Sequence, residues 1–421
     1  MKGKDTKNNN LKIIAQREGV SFKKLIEKIK KGEVVILKNK KHEIIGCAVG
    51  KGLTTKVNAN IGTSPEICDI QMELKKLKVA EEAGADTIMD LSTGGDLDEI
   101  RKTLIANTRI PIGSVPIYQL PYEAKKMNKS FVELKEKDFL KVIEKHFVDG
   151  IDFATIHCGI NKKILKVLHK KKRICGVVSR GGSLVIEWMK YNNKENPLYE
   201  YFDEILAMAK EYDVCLSLGD GLRPGSILDA TDEPQIFELL VLGELQERAR
   251  EKGVKVMIEG PGHIPLNHIY LNILLEKIIC NNAPFYVLGP LVSDIGLPYD
   301  HFVAGIGGAL AAYYGADFLC YVTPSEHLGL PTIEDVREGV IVTKLAAHIA
   351  DVAKGIKKAI EWDKELSLAR ARLDFEKMVN LAINPEKAKE IYERYGVKKD
   401  FCTMCGEFCA LKKSREIFKK E

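Results

Sequence analysis

"VCLSLGDGLRPG" occupies residues 214–225. A nearly continuous apolar run gives way at once to glycine, an acid and an arginine. Such a run suits a strand covered on both faces, as in a parallel sheet. The pattern recurs along the chain. Upstream lie "ADTIMDLSTGG" (85–95), "IPIGSVPIY" (110–118), "IDFATIHCG" (151–159) and "RICGVVSRGG" (173–182). Downstream lie "KVMIEGPGH" (255–263), "FYVLGPL" (285–291) and "ADFLCYVTPSEH" (316–327). That makes eight candidate strands, separated by amphipathic segments such as "YFDEILAMAKEY" (201–212) and "QIFELLVLGELQERAREKG" (235–253). The latter has a clear helical period and stops at Lys252-Gly253. Eight such units predict an α/β fold, a (β/α)8 TIM barrel, over 76–350. A doubly wound sheet is the competing arrangement. Residues 1–75 are expected to form an N-terminal region, with "EVVILKN" (33–39) and "KVNANIGTS" (56–64) inside it. Residues 351–421 are expected to form a charged helical segment ending in a cysteine tail.

The rest of the composition narrows the class. The chain has 421 residues, 45% hydrophobic and 29% charged, which is ordinary for a globular enzyme. Its 64 basic and 59 acidic residues nearly cancel, to a net charge of +5, which argues against nucleic acid as the main partner. The basic run "KKILKVLHKKKR" (162–173) reads as a solvated helix face, with Ile164, Leu165, Val167 and Leu168 as its apolar stripe. The longest apolar stretch (302–322) is broken by Asp317 and by glycines. It predicts a buried helix and then a buried strand, so no membrane partner is expected. "GIGGALAA" (305–312) follows no convincing strand, and its glycines suit close helix packing better than a dinucleotide. No hydrophobic export signal stands at the N-terminus, and seven of the ten cysteines are scattered singly. Reduced thiols and a cytoplasmic location are expected.

Polar residues collect where the predicted strands end. They are Asp90 with the apolar Met89 beside it, Tyr118, His157, Ser179 to Gly181, Asp220 to Arg223, Glu259 with His263, Tyr286, and Glu326 with His327. A barrel brings all these ends to one face. "SRGG" and "DGLRPG" set arginines beside glycine-rich backbone, which suits a phosphorylated small molecule; tight turns with solvated arginines are the plainer alternative. Glu259 can bind a substrate amine or hydroxyl. His263 and His327 can meet across the mouth as metal ligands, and either can equally be a hydrogen-bonded structural residue.

"CTMCGEFCALK" (402–412) holds the remaining thiols, Cys402, Cys405 and Cys409. Three thiolates can hold three irons of a 4Fe–4S cluster and leave the fourth iron open to S-adenosylmethionine. A structural zinc site with a ligand from elsewhere, or a CxxC redox pair, would use the same spacing.

These motifs, taken with "VPIYQ", "TIHCG", "VSRGGS", "SLGDGLRPGSI", "MIEGPGH", "APFYVLGPL" and "LCYVTPSEHLGLP", resemble the phosphomethylpyrimidine synthase family of thiamine biosynthesis, an atypical branch of the radical S-adenosylmethionine enzymes. The resemblance runs from about residue 33 to 412. It implies rearrangement of 5-aminoimidazole ribotide to 4-amino-5-hydroxymethyl-2-methylpyrimidine phosphate, with formate and carbon monoxide released. It implies that the ribotide meets Asn60, Met89, Tyr118, His157, Ser179, Arg180, Gly181, Asp220, Gly221, Leu222, Arg223, Glu259 and Tyr286. It further implies a divalent metal, usually zinc, at His263 and His327, and the cluster at Cys402, Cys405 and Cys409. A homodimer and a low-potential flavodoxin- or ferredoxin-type electron donor complete the expectation.

The chain departs from the family pattern in three places. The tail is C-x2-C-x3-C where the family has C-x2-C-x4-C. "DIGLPYDH" (294–301) replaces a "DIAPGYDH" pattern, and "VVILKNKKH" (34–42) replaces "VVIPANINH". Both loop changes are expected to bear on the active site. A sister family, 5-hydroxybenzimidazole synthase, uses the same ribotide and shares most of these motifs.

Overall fold

Eight short parallel strands close on one another. They are β3 (Lys56–Ile61), β4 (Thr87–Asp90), β5 (Ile112–Ser114), β6 (Phe153–Ile156), β7 (Cys215–Leu218), β8 (Val256–Gly260), β9 (Phe285–Leu288) and β10 (Phe318–Cys320). β10 pairs with β9 on one side and with β3 on the other, so Cys320 stands opposite both Leu288 and Asn58. The computed structural model describes residues 2–394 and 403–418. It is a (β/α)8 barrel, and the doubly wound alternative is excluded by the closure.

The membership of the barrel differs from the expectation at one strand. "RICGVVSRGG" (173–182) is no strand. The Ile174 and Cys175 N–H groups donate to the Asp229 carboxylate at 2.8 and 3.0 Å, and Ser179 already caps the helix Arg180–Asn192. Those donors are therefore not available to a ladder. The eighth strand is instead β3, in the stretch assigned to the N-terminal region. Its asparagines disguise it. Asn58 is fully buried and Asn60 lines the central pocket, so the strand carries polar groups where its neighbours carry apolar ones. The barrel thus begins at Lys56, upstream of residue 76.

Aspartates fasten the N-terminal ends of the strands. Asp86, Asp152 and Asp317 each precede a strand and accept the first free N–H of the strand alongside: Val57 at 2.8 Å, Ile112 at 2.8 Å and Phe285 at 3.1 Å. β1 (Val34–Leu37) and β2 (Cys47–Gly50) form an antiparallel hairpin that docks at this same end. Asn39, fully buried, donates to the carbonyls of Phe147 and Ile151 and takes Asp152 on its backbone N–H. His42 Nδ1 lies 2.7 Å from Asp152 Oδ2. Lys255 Nζ reaches the Ile36 carbonyl at 2.9 Å. The altered segment "VVILKNKKH" therefore sits at the end opposite the mouth. Its expected bearing on the active site is not found.

The outer helices match their sequence signals. Asp69, Asp96 and Asp232 cap the helices Ile70–Glu82, Leu97–Asn107 and Glu233–Glu251. The basic run forms the helix Lys162–Lys170, with Ile164 buried and Leu165 and Leu168 packed on the core. The long apolar stretch becomes the helix Asp300–Tyr314 followed by β10. No described helix is long and apolar enough to cross a membrane.

A second compact unit begins after Asp351. Its helices Lys357–Ala371, Phe375–Leu381 and Pro385–Glu393 are joined by Trp362 Nε1 donating to the Leu381 carbonyl at 2.8 Å and by the stacked rings of Phe375 and Tyr392, 5.0 Å apart. Cys405 and Cys409 flank a single 3-10 turn, Gly406–Phe408, and the helix Ala410–Ile417 follows. Cys402 lies outside the described residues.

Candidate active site

The C-terminal ends of the strands surround a cavity of about 490 Å3, counting space open to solvent. Its wall gathers Asn60, Met89, Tyr118, His157, Asp220, Arg223, Glu259 and Tyr286. Each was a candidate from sequence, and together they come from four strands and from the segments that follow three others. Arg180 and His327 line a neighbouring hollow with Glu326.

Burial sets the charge states inside. Glu259 Oε1 accepts from Thr155 Oγ1 at 2.6 Å and from Ser217 Oγ at 3.1 Å. Burial nonetheless pushes its carboxyl above the usual range. Burial, helped by the nearby Arg223 guanidinium, pulls the His157 imidazole down to about 3, so it is neutral at neutral pH. The Asp220 carboxyl is pushed well up by burial, against the pull of Arg223. Arg223 Nη1 stands 3.3 Å from Asp220 Oδ1. Among the described residues, His157 Nδ1 and Asp220 Oδ2 are buried polar atoms with no hydrogen-bond partner. Two such orphans in one cavity are costly unless a ligand satisfies them.

The two glycine-rich motifs support this wall in a way their composition did not suggest. Ser179 Oγ accepts from the Gly182 N–H at 3.1 Å and caps the helix Arg180–Asn192. A Cβ on Gly181 would stand 2.2 Å from the His157 ring. A Cβ on Gly182 would stand 2.2 Å from the Gly221 carbonyl oxygen. The glycines thus let the helix N-terminus press against His157 and the "DGLR" turn. That turn is held from behind by Glu238, whose Oε2 accepts from the Leu222 N–H at 2.7 Å. Arg180 lies over the Tyr118 ring, 4.9 Å from its centroid. Gly221 and Leu222 act through backbone here, and Leu222 is fully buried.

Several residues that hold this wall in place escaped the sequence. Thr155 and Ser217 hold Glu259. Cys320 accepts from Asn60 Nδ2 at 3.1 Å and shares a hydrogen bond with Tyr286. Asn196 Nδ2 donates to the carbonyls of His157 and Ile160, both at 2.9 Å, and fixes the loop after β6. Only Thr155 had a signal: it stands two residues before His157, so both face the barrel interior.

His263 and His327 do meet. Their ring centroids are 5.1 Å apart and tilted by 52°. His263 Nδ1 lies 2.9 Å from Asp294 Oδ1, and His327 Nδ1 lies 3.3 Å from Asp300 Oδ2. Each Nδ1 is thus taken by a carboxylate, leaving Nε2 as the nitrogen able to bind an ion. His327 holds φ at +61°, a costly backbone state for a residue with a Cβ and one found at functional positions. Among the described residues, no group of three or more His, Cys, Asp and Glu is arranged to hold a metal. Two imidazoles alone would leave the other coordination positions open.

A closed parallel barrel with a charged, orphan-bearing cavity at its strand ends is a (β/α)8-barrel enzyme. The profile of the Radical SAM ThiC family matches residues 2–416. The phosphomethylpyrimidine synthase of Caldanaerobacter subterraneus subsp. tengcongensis is 56% identical over 95% of this chain and 93% of its own. That of Methanocaldococcus jannaschii is 54% identical over 97% and 96%, and that of Geobacter metallireducens 54% over 98% and 95%. The chain belongs to the Radical SAM ThiC family. By that membership it is an enzyme of the phosphomethylpyrimidine synthase type, working in thiamine pyrimidine synthesis with an iron–sulfur cluster and S-adenosylmethionine.

Proposed function

We propose that this chain rearranges 5-aminoimidazole ribotide to 4-amino-5-hydroxymethyl-2-methylpyrimidine phosphate, with release of formate and carbon monoxide. The observation that carries this is the cavity itself, where eight of the residues expected to touch the ribotide form one wall. When bound and reduced, the 4Fe–4S cluster at Cys402, Cys405 and Cys409 would cleave S-adenosylmethionine to supply a 5′-deoxyadenosyl radical. The chain's own residues bind and orient. Arg180, Arg223 and the capped helix N-terminus at Ser179 to Gly181 suit the ribotide phosphate. Asp220 and neutral His157 offer their orphaned atoms to the polar groups of the ligand. Glu259 suits an amine or hydroxyl, with Asn60, Tyr118 and Tyr286 nearby. Met89 adds an apolar contact.

His263 and His327 suit a divalent metal such as zinc, in a site with open positions. An electron donor of flavodoxin or ferredoxin type would reduce the cluster in the cytoplasm. A homodimer is supported by an apolar face on the helices Ile269–Ile279 and Asp300–Tyr314, where Tyr270, Ile278, Phe302, Ile306 and Tyr313 are each at least half exposed.

The test is an anaerobic assay. Reconstituted protein receives dithionite, S-adenosylmethionine and 5-aminoimidazole ribotide, and products are identified by mass spectrometry. The pyrimidine phosphate supports the proposal. 5-Hydroxybenzimidazole would overturn it in favour of the sister activity.

A further inference from the structure

The segment "DIGLPYDH" (294–301) departs from the family pattern between its ends, and those ends hold the two histidines. Asp294 is the more informative. Its Oδ1 lies 2.9 Å from His263 Nδ1. Its Oδ2 accepts from Ser226 Oγ at 2.9 Å and from the Ile227 N–H at 3.0 Å. Ser226 and Ile227 end the "DGLRPGSI" turn, whose other end carries Asp220 and Arg223 in the cavity wall. The backbone at His263 is separately fixed. It bridges to Leu291, and the Leu291 N–H donates to the Gly262 carbonyl at 2.7 Å. What remains free at His263 is the turn of its ring, and Asp294 settles that. One carboxylate therefore joins the ribotide turn to a histidine of the other site.

We infer that Asp294 is a positioning residue: it sets the His263 imidazole for a divalent metal and couples that setting to the turn that receives the ribotide. This rests on the metal and ribotide assignments proposed above. A carboxylate on Nδ1–H fixes the tautomer and presents Nε2 as the donor. Because its second oxygen is tied to Ser226 and Ile227, a ligand that orders the turn also orders the ring. Linkage makes the effect reciprocal, so ribotide and metal each tighten the other. Asp300 acts on His327 in the same manner without a tie to the turn.

The experiment is calorimetric titration of Zn2+ into the cluster-reconstituted full chain, with and without saturating 5-aminoimidazole ribotide. Asp294→Ala should weaken Zn2+ by about 10- to 100-fold, the usual cost of losing an outer partner, and should abolish the tightening by ribotide. Asp294→Asn keeps an acceptor for His263 but turns its NH2 toward the Ser226 and Ile227 donors, so it should recover part of the affinity and none of the tightening by ribotide. Ser226→Ala should weaken Zn2+ several-fold although it never touches the ion, and it serves if Asp294→Ala fails to fold. Thermal unfolding without Zn2+ reads out any general structural loss. Wild-type affinity in Asp294→Ala, or in Ser226→Ala if the alanine variant is unfolded, overturns the inference while His263→Ala still weakens binding. If His263→Ala leaves Zn2+ binding unchanged, the metal assignment itself falls, and the inference with it.

Discussion

Gly182 and the Gly221 carbonyl are in such close contact that a methyl group on Gly182 would sit 2.2 Å from the oxygen. The helix Arg180–Asn192 and the "DGLR" turn are therefore one packed unit, backed by Glu238. Gly182→Ala must push the turn or the helix outward, an overpacking cost of about 1–3 kcal/mol. We expect ribotide affinity to fall at least about tenfold. Calorimetry on folded protein checks this. Unchanged affinity would show that the turn moves without consequence.

Arg223 sits beside Asp220 in the cavity wall. Arg223→Ala should weaken ribotide binding by about 1.5–3 kcal/mol, the range of a hydrogen bond to a charged group. Its melting temperature should change little by comparison. Ribotide affinity equal to wild type would remove Arg223 from the ligand contacts.

Each of Cys402→Ala, Cys405→Ala and Cys409→Ala should abolish 5′-deoxyadenosine formation, because three thiolates leave no spare cluster ligand. The far-ultraviolet circular dichroism of the barrel should be unaltered. Full turnover by any one variant would rule that residue out as a ligand.

Asn39→Ala tests the opposite end. It strips the side-chain donor from two buried carbonyls, those of Phe147 and Ile151, a loss of about 1–3 kcal/mol for each group left unsatisfied, while the backbone N–H to Asp152 is kept. Denaturant unfolding should show a marked loss of stability, with turnover of the folded fraction retained. A selective loss of turnover would place "VVILKNKKH" in contact with the mouth after all.

Burial pushes the Glu238 carboxyl up to about 8. Between the ordinary value of 4.5 and about 8, the folded chain holds a proton that the unfolded chain has lost. Stability from this group is therefore full at low pH and falls as pH rises through that window, by up to about 1.4 kcal/mol per pH unit. Glu238→Gln mimics the protonated form and keeps an acceptor for Leu222. Its stability should depend less on pH between 5 and 8, as read by urea unfolding at each pH. A slope identical to wild type would mean that Glu238 is already ionised.

Much of the site was legible because barrel geometry is regular. Once apolar runs are taken as parallel strands, their polar ends must share one face, and His157, Glu259, Tyr286 and Arg223 follow. β3 was not legible as a strand, since Asn58 and Asn60 replace the apolar side chains that mark its neighbours. "RICGVVSRGG" resembled a strand because periodicity does not show that Asp229 takes its N–H groups. The two loop departures read alike in sequence, yet one lies under the barrel and the other beside His263.

The sequence by itself determined the strand rhythm, the capped helices, the three-thiol tail and the family, because these depend on local periodicity and on the identity of neighbours in the chain. Only the tertiary structure decided which glycines serve packing and that Asp294 joins Ser226 to His263. It also decided that His157 is neutral and that Asn39 secures the floor. Those properties arise from groups brought together across tens to more than a hundred residues, where burial sets the protonation state and no local pattern records the partner.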